Sequence, residues 1–189
     1  MARIALDIDS TLHHYWPLLD GIARQRFGVA LPYDEQRGWG ITRLDREQVI
    51  ACVEETHSEE NILKAEPYPH AVETISAWHA AGHWIHVTSH RRERTRDATV
   101  RWLERIGLPY DDLHCSFDKV SRCVELEIDV LVDDSPVNLA KASEHGIVAA
   151  TIVHPWNEEL VDSGAAIGAA DWRMLRERLE PLLNGAQAA

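Results

Sequence analysis

Cysteine is scarce in this chain. Only Cys52, Cys115 and Cys123 occur among 189 residues. Their scatter excludes a disulfide framework and a zinc-ligand spacing, and it fits a reducing compartment. Long apolar runs are missing too. No stretch approaches the roughly 20 residues of a membrane span, and the apolar run after Met1 is too short for a signal peptide. Positive charge is in deficit: 19 Lys+Arg stand against 31 Asp+Glu, for a net charge of −12. Such a surface repels a phosphate backbone, which argues against a nucleic-acid polymer as partner. A small anionic substrate would need locally placed cations or a metal. The expectation is a soluble cytoplasmic domain with no membrane partner, and 45% hydrophobic residues suffice for one full core.

The apolar run Arg3 to Ile8 is interrupted only by Asp7, and reads as a buried strand with a carboxylate at its C-terminal end. Residues 15–66 read differently, as helical segments with no clear strand. Tyr15 to Phe27 forms one helix with Pro17 in its first turn, and Asp45 to Gln48 is a capping box opening another. Regular alternation follows Pro67. The pattern predicts a helix from Pro69 with Val72, Ile75 and Trp78 on its apolar face, a strand Trp84 to Val87, and a helix Arg92 to Ile106. It continues with a short strand Leu113 to Phe117, a helix Val120 to Leu126 and a strand Ile128 to Val132. A helix from Ser135-Pro136, a strand Ile147 to Val153 and a helix Asp171 to Leu183 complete it, with a frayed Ala-rich tail after Gly185. Alternating strands and helices imply a Rossmann-like parallel α/β sheet sandwiched by helices, with right-handed crossovers.

In such a sheet reactive groups gather at the carboxyl ends of strands. Four clusters fall there or just beyond: Asp7-Ile-Asp9-Ser-Thr11, Thr88-Ser89, Lys119, and Asp133-Asp134. Asp7 with Asp133 or Asp134 supplies hard oxygen ligands suited to Mg²⁺. With a phosphate neutralised by metal, an aspartate can attack phosphorus and split one hydrolysis into two easier steps. Asp9, two residues on, is placed to protonate a leaving oxygen and later deprotonate water; the first task needs a raised pKa. Thr88 or Ser89 would donate to a phosphoryl oxygen, and Lys119 would hold its developing charge.

Lys119 is one of only three lysines, with Lys64 and Lys141, in a chain that otherwise uses arginine. The compact ammonium is not interchangeable with a guanidinium in a tight site. Each cluster alone has a plainer reading. Asp133-Asp134 could cap the helix after Pro136, Thr88 and Ser89 could cap the next helix, and Lys119 could be a surface lysine. Arg91, Arg92, Arg94 and Arg96 open a helix against its dipole. Either Arg91 draws in an anionic substrate, or the four form a solvated face paired with Glu93 and Asp97. Of the histidines, His13-His14 could line the site entrance, His86 reads as a packed core residue, and His90 lies near the Thr88-Ser89 turn.

Asp-x-Asp-x-Thr, a strand ending in Thr-Ser, then Lys, then Asp-Asp resembles the four motifs of the haloacid dehalogenase (HAD) superfamily of phosphohydrolases. The segments Gly82 to Arg91 and Ile128 to Pro136 are most similar to the 5′(3′)-deoxyribonucleotidase branch and its bacterial relatives. His90 stands where that branch often has Pro. His154-Pro-Trp-Asn157 is similar to an aromatic-Asn loop in the bacterial relatives. The resemblance implies Asp7 as nucleophile, Asp9 as acid/base, and a Mg²⁺ held by Asp7, the backbone carbonyl of Asp9, and Asp133 or Asp134. It implies phosphate contacts from Thr88 or Ser89 and from Lys119; Thr11 and Arg91 are the further candidates for contact with the phosphate. It also places residues 15–66 as a small helical cap on a core formed by 1–14 and 67–189. Asp9 fits phosphatases, since the superfamily's dehalogenases lack that second acid. The cap aromatics Tyr15, Trp16, Phe27 and Trp39 could stack on a nucleobase or simply pack. The expected substrate is a nucleoside 5′-monophosphate. Another small phosphomonoester such as a sugar phosphate, and a non-catalytic phosphate- or nucleotide-binding module, are the alternatives.

Overall fold

Strand β1 (Arg3–Leu6) lies in the middle of a parallel six-stranded sheet. The computed structural model describes residues 1–116 and 118–185. After β1 come α1 (Tyr15–Phe27), α2 (Arg46–Thr56), α3 (Glu59–Lys64) and α4 (Ala71–Ala80). They are followed by β2 (Trp84–Ser89), α5 (Arg96–Ile106), β3 (Asp112–Cys115), α6 (Lys119–Glu125), β4 (Val130–Val132) and α7 (Pro136–Glu144). The chain continues through β5 (Val148–Ile152), α8 (Glu158–Asp162), β6 (Ile167–Ala169) and α9 (Trp172–Gly185). The strand order is β3-β2-β1-β4-β5-β6, so the chain runs outward from β1 to β3, crosses back to β4 and runs outward to β6, and a crevice opens between the carboxyl ends of β1 and β4.

The period-2 geometry of a strand sorts its residues onto the two faces. Ile4 and Leu6 join Val87, Val130, Val132, and Trp78 of α4, Trp102 of α5 and Trp172 of α9 in the larger core. Ala5 and Leu131 point the other way, onto Cys123 of α6 and Ala142 of α7. Burial on both faces explains why these strands read as apolar runs rather than alternating ones.

The α1–α2 segment builds an apolar cluster of its own, with Trp16, Leu19, Ile22, Leu31, Leu44 and Cys52, and Trp156 from the loop after β5 joins it. Asp45 caps α2 as expected: its carboxylate accepts from Gln48 N at 2.8 Å, and the Gln48 side chain accepts from Asp45 N at 3.1 Å. Ile62 of α3 belongs to the larger core, and Trp102 Nε1 donates to Ala65 O at 2.8 Å. The end of the insert is thereby stitched to α5.

Several boundaries differ from expectation. The helix expected from Pro69 starts at Ala71, because His70 takes a left-handed φ of 65°. Arg92 is extended and Glu93–Thr95 is a 3-10 turn, so the Arg92–Ile106 helix begins only at Arg96. β4 starts at Val130 rather than Ile128, since Ile128 N closes α6 by donating to Cys123 O at 2.9 Å. Strand β6 and helices α3 and α8 were not expected. Phe117, the expected end of the third strand, and the tail after Gly185 lie outside the described residues. Among the described residues no helix is long and apolar enough to cross a membrane.

Candidate active site

The carboxyl ends of β1 and β4, with the first turn of α6, bring three of the four sequence clusters together. Asp7 follows β1 and is buried, as are Asp133 and Asp134 after β4 and Lys119 at the start of α6. Asp7 N donates to Val132 O at 2.8 Å, which locks the two strand ends. Lys119 Nζ donates to Asp7 Oδ1, and to Asp133 Oδ2 at 3.0 Å. Asp133 also accepts from Ser135 N at 2.8 Å and from Asn138 Nδ2 at 3.1 and 3.2 Å.

Carboxylate oxygens of Asp7, Asp133 and Asp134 lie within 4.8 Å of one another. Three carboxyl groups face one ammonium, so full ionisation would leave two negative charges uncompensated in a buried space. Burial pushes the Asp7 carboxyl up, and Asp133 and Asp9 add to the rise against the pull of Lys119. Asp134 is driven well above the carboxylate range by burial, then by Asp7 and Asp133. Burial works to lower the Lys119 pKa, but Asp133 and Asp7 outweigh it and the ammonium is firmly charged. An all-oxygen donor set whose full ionisation is opposed by burial and by its own crowding fits a hard divalent cation, which would take the place of the protons.

Asp9 has a different environment. Arg91 donates to it through Nη2 at 2.7 Å and Nε at 3.2 Å, His13 Nε2 at 2.8 Å and His57 Nε2 at 3.1 Å. Burial alone would raise its pKa, but Arg91 and His57, with the hydrogen bonds from His13 and His57, hold it well below the carboxylate range. The raised pKa expected for a proton donor is therefore absent in this state. The sequence gives no signal for His57, which lies 48 residues from Asp9.

Two expected phosphate contacts are otherwise engaged. Arg91 is 1% exposed, grips Asp9, donates to Thr99 Oγ1 at 3.3 Å and sits over the Trp102 ring, so it belongs neither to the rim nor to a solvated face. Thr11 Oγ1 reaches Asp7 Oδ2 at 3.4 Å and steadies the nucleophile candidate. Thr88 and Ser89 separate in role. Ser89 Oγ accepts from Arg91 N at 3.2 Å, whereas the buried Thr88 hydroxyl has no hydrogen-bond partner among the described residues. Leu6 pairs with Val87, so Thr88 is the next residue of β2, beside Asp7.

The turn between Asp9 and Thr11 is held from the far side. Ser10 adopts a left-handed φ of 62°, and its carbonyl accepts from His154 Nε2 at 2.7 Å. A carbonyl only accepts, so Nε2 carries the proton and Nδ1 accepts from Tyr33 Oη at 2.7 Å. Trp156 Nε1 and Asn157 Nδ2 donate to Asp134 O, at 3.1 and 3.2 Å. The His154 to Asn157 loop thus braces both acidic turns.

A cavity of about 480 Å³ opens above Asp7, Lys119, Asp133 and Asp134. Its walls come largely from the insert and are apolar: Trp16, Leu19, Ile41, Val49, Ile50 and Val53. Tyr15 and Trp39 also line it; Phe27 instead packs against the insert's apolar cluster.

Strand order, the paired acidic turns and the buried ammonium together define a HAD-like α/β fold. The solved structures with this fold include a HAD-family hydrolase from Deinococcus radiodurans R1 with bound phosphate and sodium. It matches at TM-score 0.70 and 18% identity over 97% of each chain. A HAD hydrolase of family IA, variant 3, from Entamoeba histolytica matches at TM-score 0.66 and 12% identity, over 92% of this chain and 95% of that one. CbbY from Rhodobacter sphaeroides in complex with phosphate matches at TM-score 0.63 and 15% identity, over 90% and 94%. No family model and no curated protein matches the chain.

Proposed function

We propose that this chain is a Mg²⁺-dependent phosphomonoester hydrolase that forms an aspartyl-phosphate on Asp7, with nucleoside 5′-monophosphates as its substrate class. The observation that carries the reading is the buried cluster of three carboxyl groups, Asp7, Asp133 and Asp134, met by the single ammonium of Lys119 on the floor of a cavity. The fold likeness to hydrolases, one of them solved with phosphate and sodium, supports it.

Asp7, Asp133, Asp134 and the Asp9 carbonyl are the groups that would hold the metal. Bound there, Mg²⁺ would supply the charge that neutralises the phosphate and lets an anionic nucleophile approach. Asp7 attacks phosphorus and the ester oxygen leaves, with Lys119 and the Thr88 hydroxyl stabilising the equatorial oxygens. The leaving oxygen needs a proton, which Asp9 would carry once the negative charge of the phosphate beside it raises that carboxylate's proton affinity. In the second half Asp9 acts in the ionised form its surroundings favour: it takes a proton from water, which attacks phosphorus and frees Asp7.

These walls favour a leaving group with a flat face to set against them. Trp16 Nε1 is already committed to Leu31 O at 2.8 Å, and Leu19, Ile41, Val49, Ile50 and Val53 have no polar side-chain atoms. A sugar laid against them would leave hydroxyls unpaired, whereas a nucleobase buries its faces. A sugar phosphate is the second reading, because another solved relative of this fold is a CbbY variant in complex with xylulose 1,5-bisphosphate.

The test is phosphate release across ribo- and deoxyribonucleoside 5′- and 3′-monophosphates, sugar phosphates and p-nitrophenyl phosphate. We expect Mg²⁺-dependent turnover, fastest on 5′-nucleotides, and a loss of about a thousandfold or more in Asp7→Asn. Tight nucleotide binding without release from any ester would establish the non-catalytic module instead.

A further inference from the structure

Arginines at the mouth of the cavity are not used by the chemistry above. Of the four that open the segment after β2, Arg91 is spent on Asp9 and Arg96 approaches Glu93 at 3.9 Å. Arg92 and Arg94 line the cavity. Both converge on one carboxylate oxygen of α2: Arg92 Nη2 lies 3.3 Å and Arg94 Nη2 3.2 Å from Glu54 Oε1. Glu54 lines the same cavity.

Three features set this cluster apart from ordinary surface pairing. Two guanidiniums share a single carboxylate, so one positive charge remains in a chain of net charge −12. All three side chains are 43–59% exposed, so the pairing is weak and an incoming anion can replace Glu54 at small cost. The carboxylate already seated between the guanidiniums also shows which chemistry the position accepts, an oxyanion receiving N–H donors from both.

We propose that Arg92 and Arg94 receive a second anionic group of the substrate, a carboxylate or a further phosphoryl group, and that Glu54 occupies that place until substrate arrives. The inference rests on the phosphatase reading at Asp7 and revises its substrate class, since a plain nucleoside 5′-monophosphate carries no second anion. The ester cleaved at Asp7 carries another anion that reaches the mouth of the same cavity.

The experiment compares esters that differ by one anion: phenyl phosphate with 4-carboxyphenyl phosphate, and a nucleoside 5′-monophosphate with its 3′,5′-bisphosphate. The readout is the ratio of kcat/KM within each pair for wild type, the double variant Arg92→Ala/Arg94→Ala, and Glu54→Gln. Wild type should favour the member with the extra anion. The double variant should cut that preference by about tenfold, and Glu54→Gln should enlarge it. The pair with the larger response identifies carboxylate or phosphoryl as the source.

A simple latch holding the insert against the core predicts otherwise. Both variants break the latch, so both would move the ratio in the same direction or leave it unmoved, and either result overturns the proposal. Equilibrium binding of the same esters to Asp7→Asn, followed by tryptophan fluorescence, gives the ratios without turnover. Opposite shifts there with no phosphate release from wild type would sustain the anion site and sink the phosphatase. Release with equal ratios would do the reverse.

Discussion

The Thr88 hydroxyl is buried beside Asp7 with no hydrogen-bond partner among the described residues, and such a group typically costs about 1–3 kcal/mol. A folded chain retains that cost where a ligand oxygen supplies the missing partner. Thr88→Val should therefore raise unfolding stability by about 1 kcal/mol in urea titrations while lowering phosphate release at least tenfold. His154 offers a pH-dependent counterpart. Burial lowers its pKa to about 4, and both ring nitrogens are committed in the neutral form. The folded state refuses a proton that the unfolded chain accepts near pH 6.5, so this contribution is complete above pH 6.5 and is lost as the pH falls toward 4. The loss in unfolding free energy between pH 7.5 and 4.5 should be smaller in His154→Gln than in wild type by roughly 2 kcal/mol. At this scale Asp7, Lys119, Asp133 and Asp134 were legible from residue type and order along the chain. The state of Asp9 was not, because His57 and Arg91 reach it only through the fold.

Periodicity carried the long elements and failed on the short ones. Ile167-Gly-Ala169 forms edge strand β6 with three residues, one of them glycine, too few for an alternation to register. Its glycine is required by packing rather than by backbone conformation. A Cβ at Gly168 would lie 2.5 Å from both Val161 methyls and 3.0 Å from Val153 Cγ2. Gly168→Ala should cost about 1–3 kcal/mol in chemical denaturation, and adding Val161→Ala should restore part of it. The late start of α5 has a related cause. Arg91 turns inward to Asp9 and Arg92 runs extended, so the first helical turn expected from the arginine-rich stretch is given up to the site.

For the molecule as a whole, a buried acidic floor in the absence of cation opposes folding, and a bound divalent ion removes that opposition. Metal-free protein should therefore melt at lower temperature. Mg²⁺ at a hundredfold its Kd should add about 2.7 kcal/mol, roughly 5–10 °C for a domain of this size. Asp134→Asn should melt above wild type without metal and lose most of the Mg²⁺ shift, as differential scanning calorimetry would show. An unchanged melting temperature in both proteins would mean that the acidic floor takes no cation.

The parallel sheet, the helical insert after β1, and the four clusters at or just beyond strand ends were determined by the sequence alone. Each is a local pattern: an apolar run, a capping box, a carboxylate where a strand ends. Tertiary structure decided the rest. It placed Lys119 between Asp7 and Asp133, gave Arg91 to Asp9 instead of to a substrate, and turned Arg92 and Arg94 toward Glu54. The physical reason is that a charge takes its partner by distance and burial, and residues as far as 112 positions apart become neighbours only once the sheet has assembled and the insert has folded over its edge.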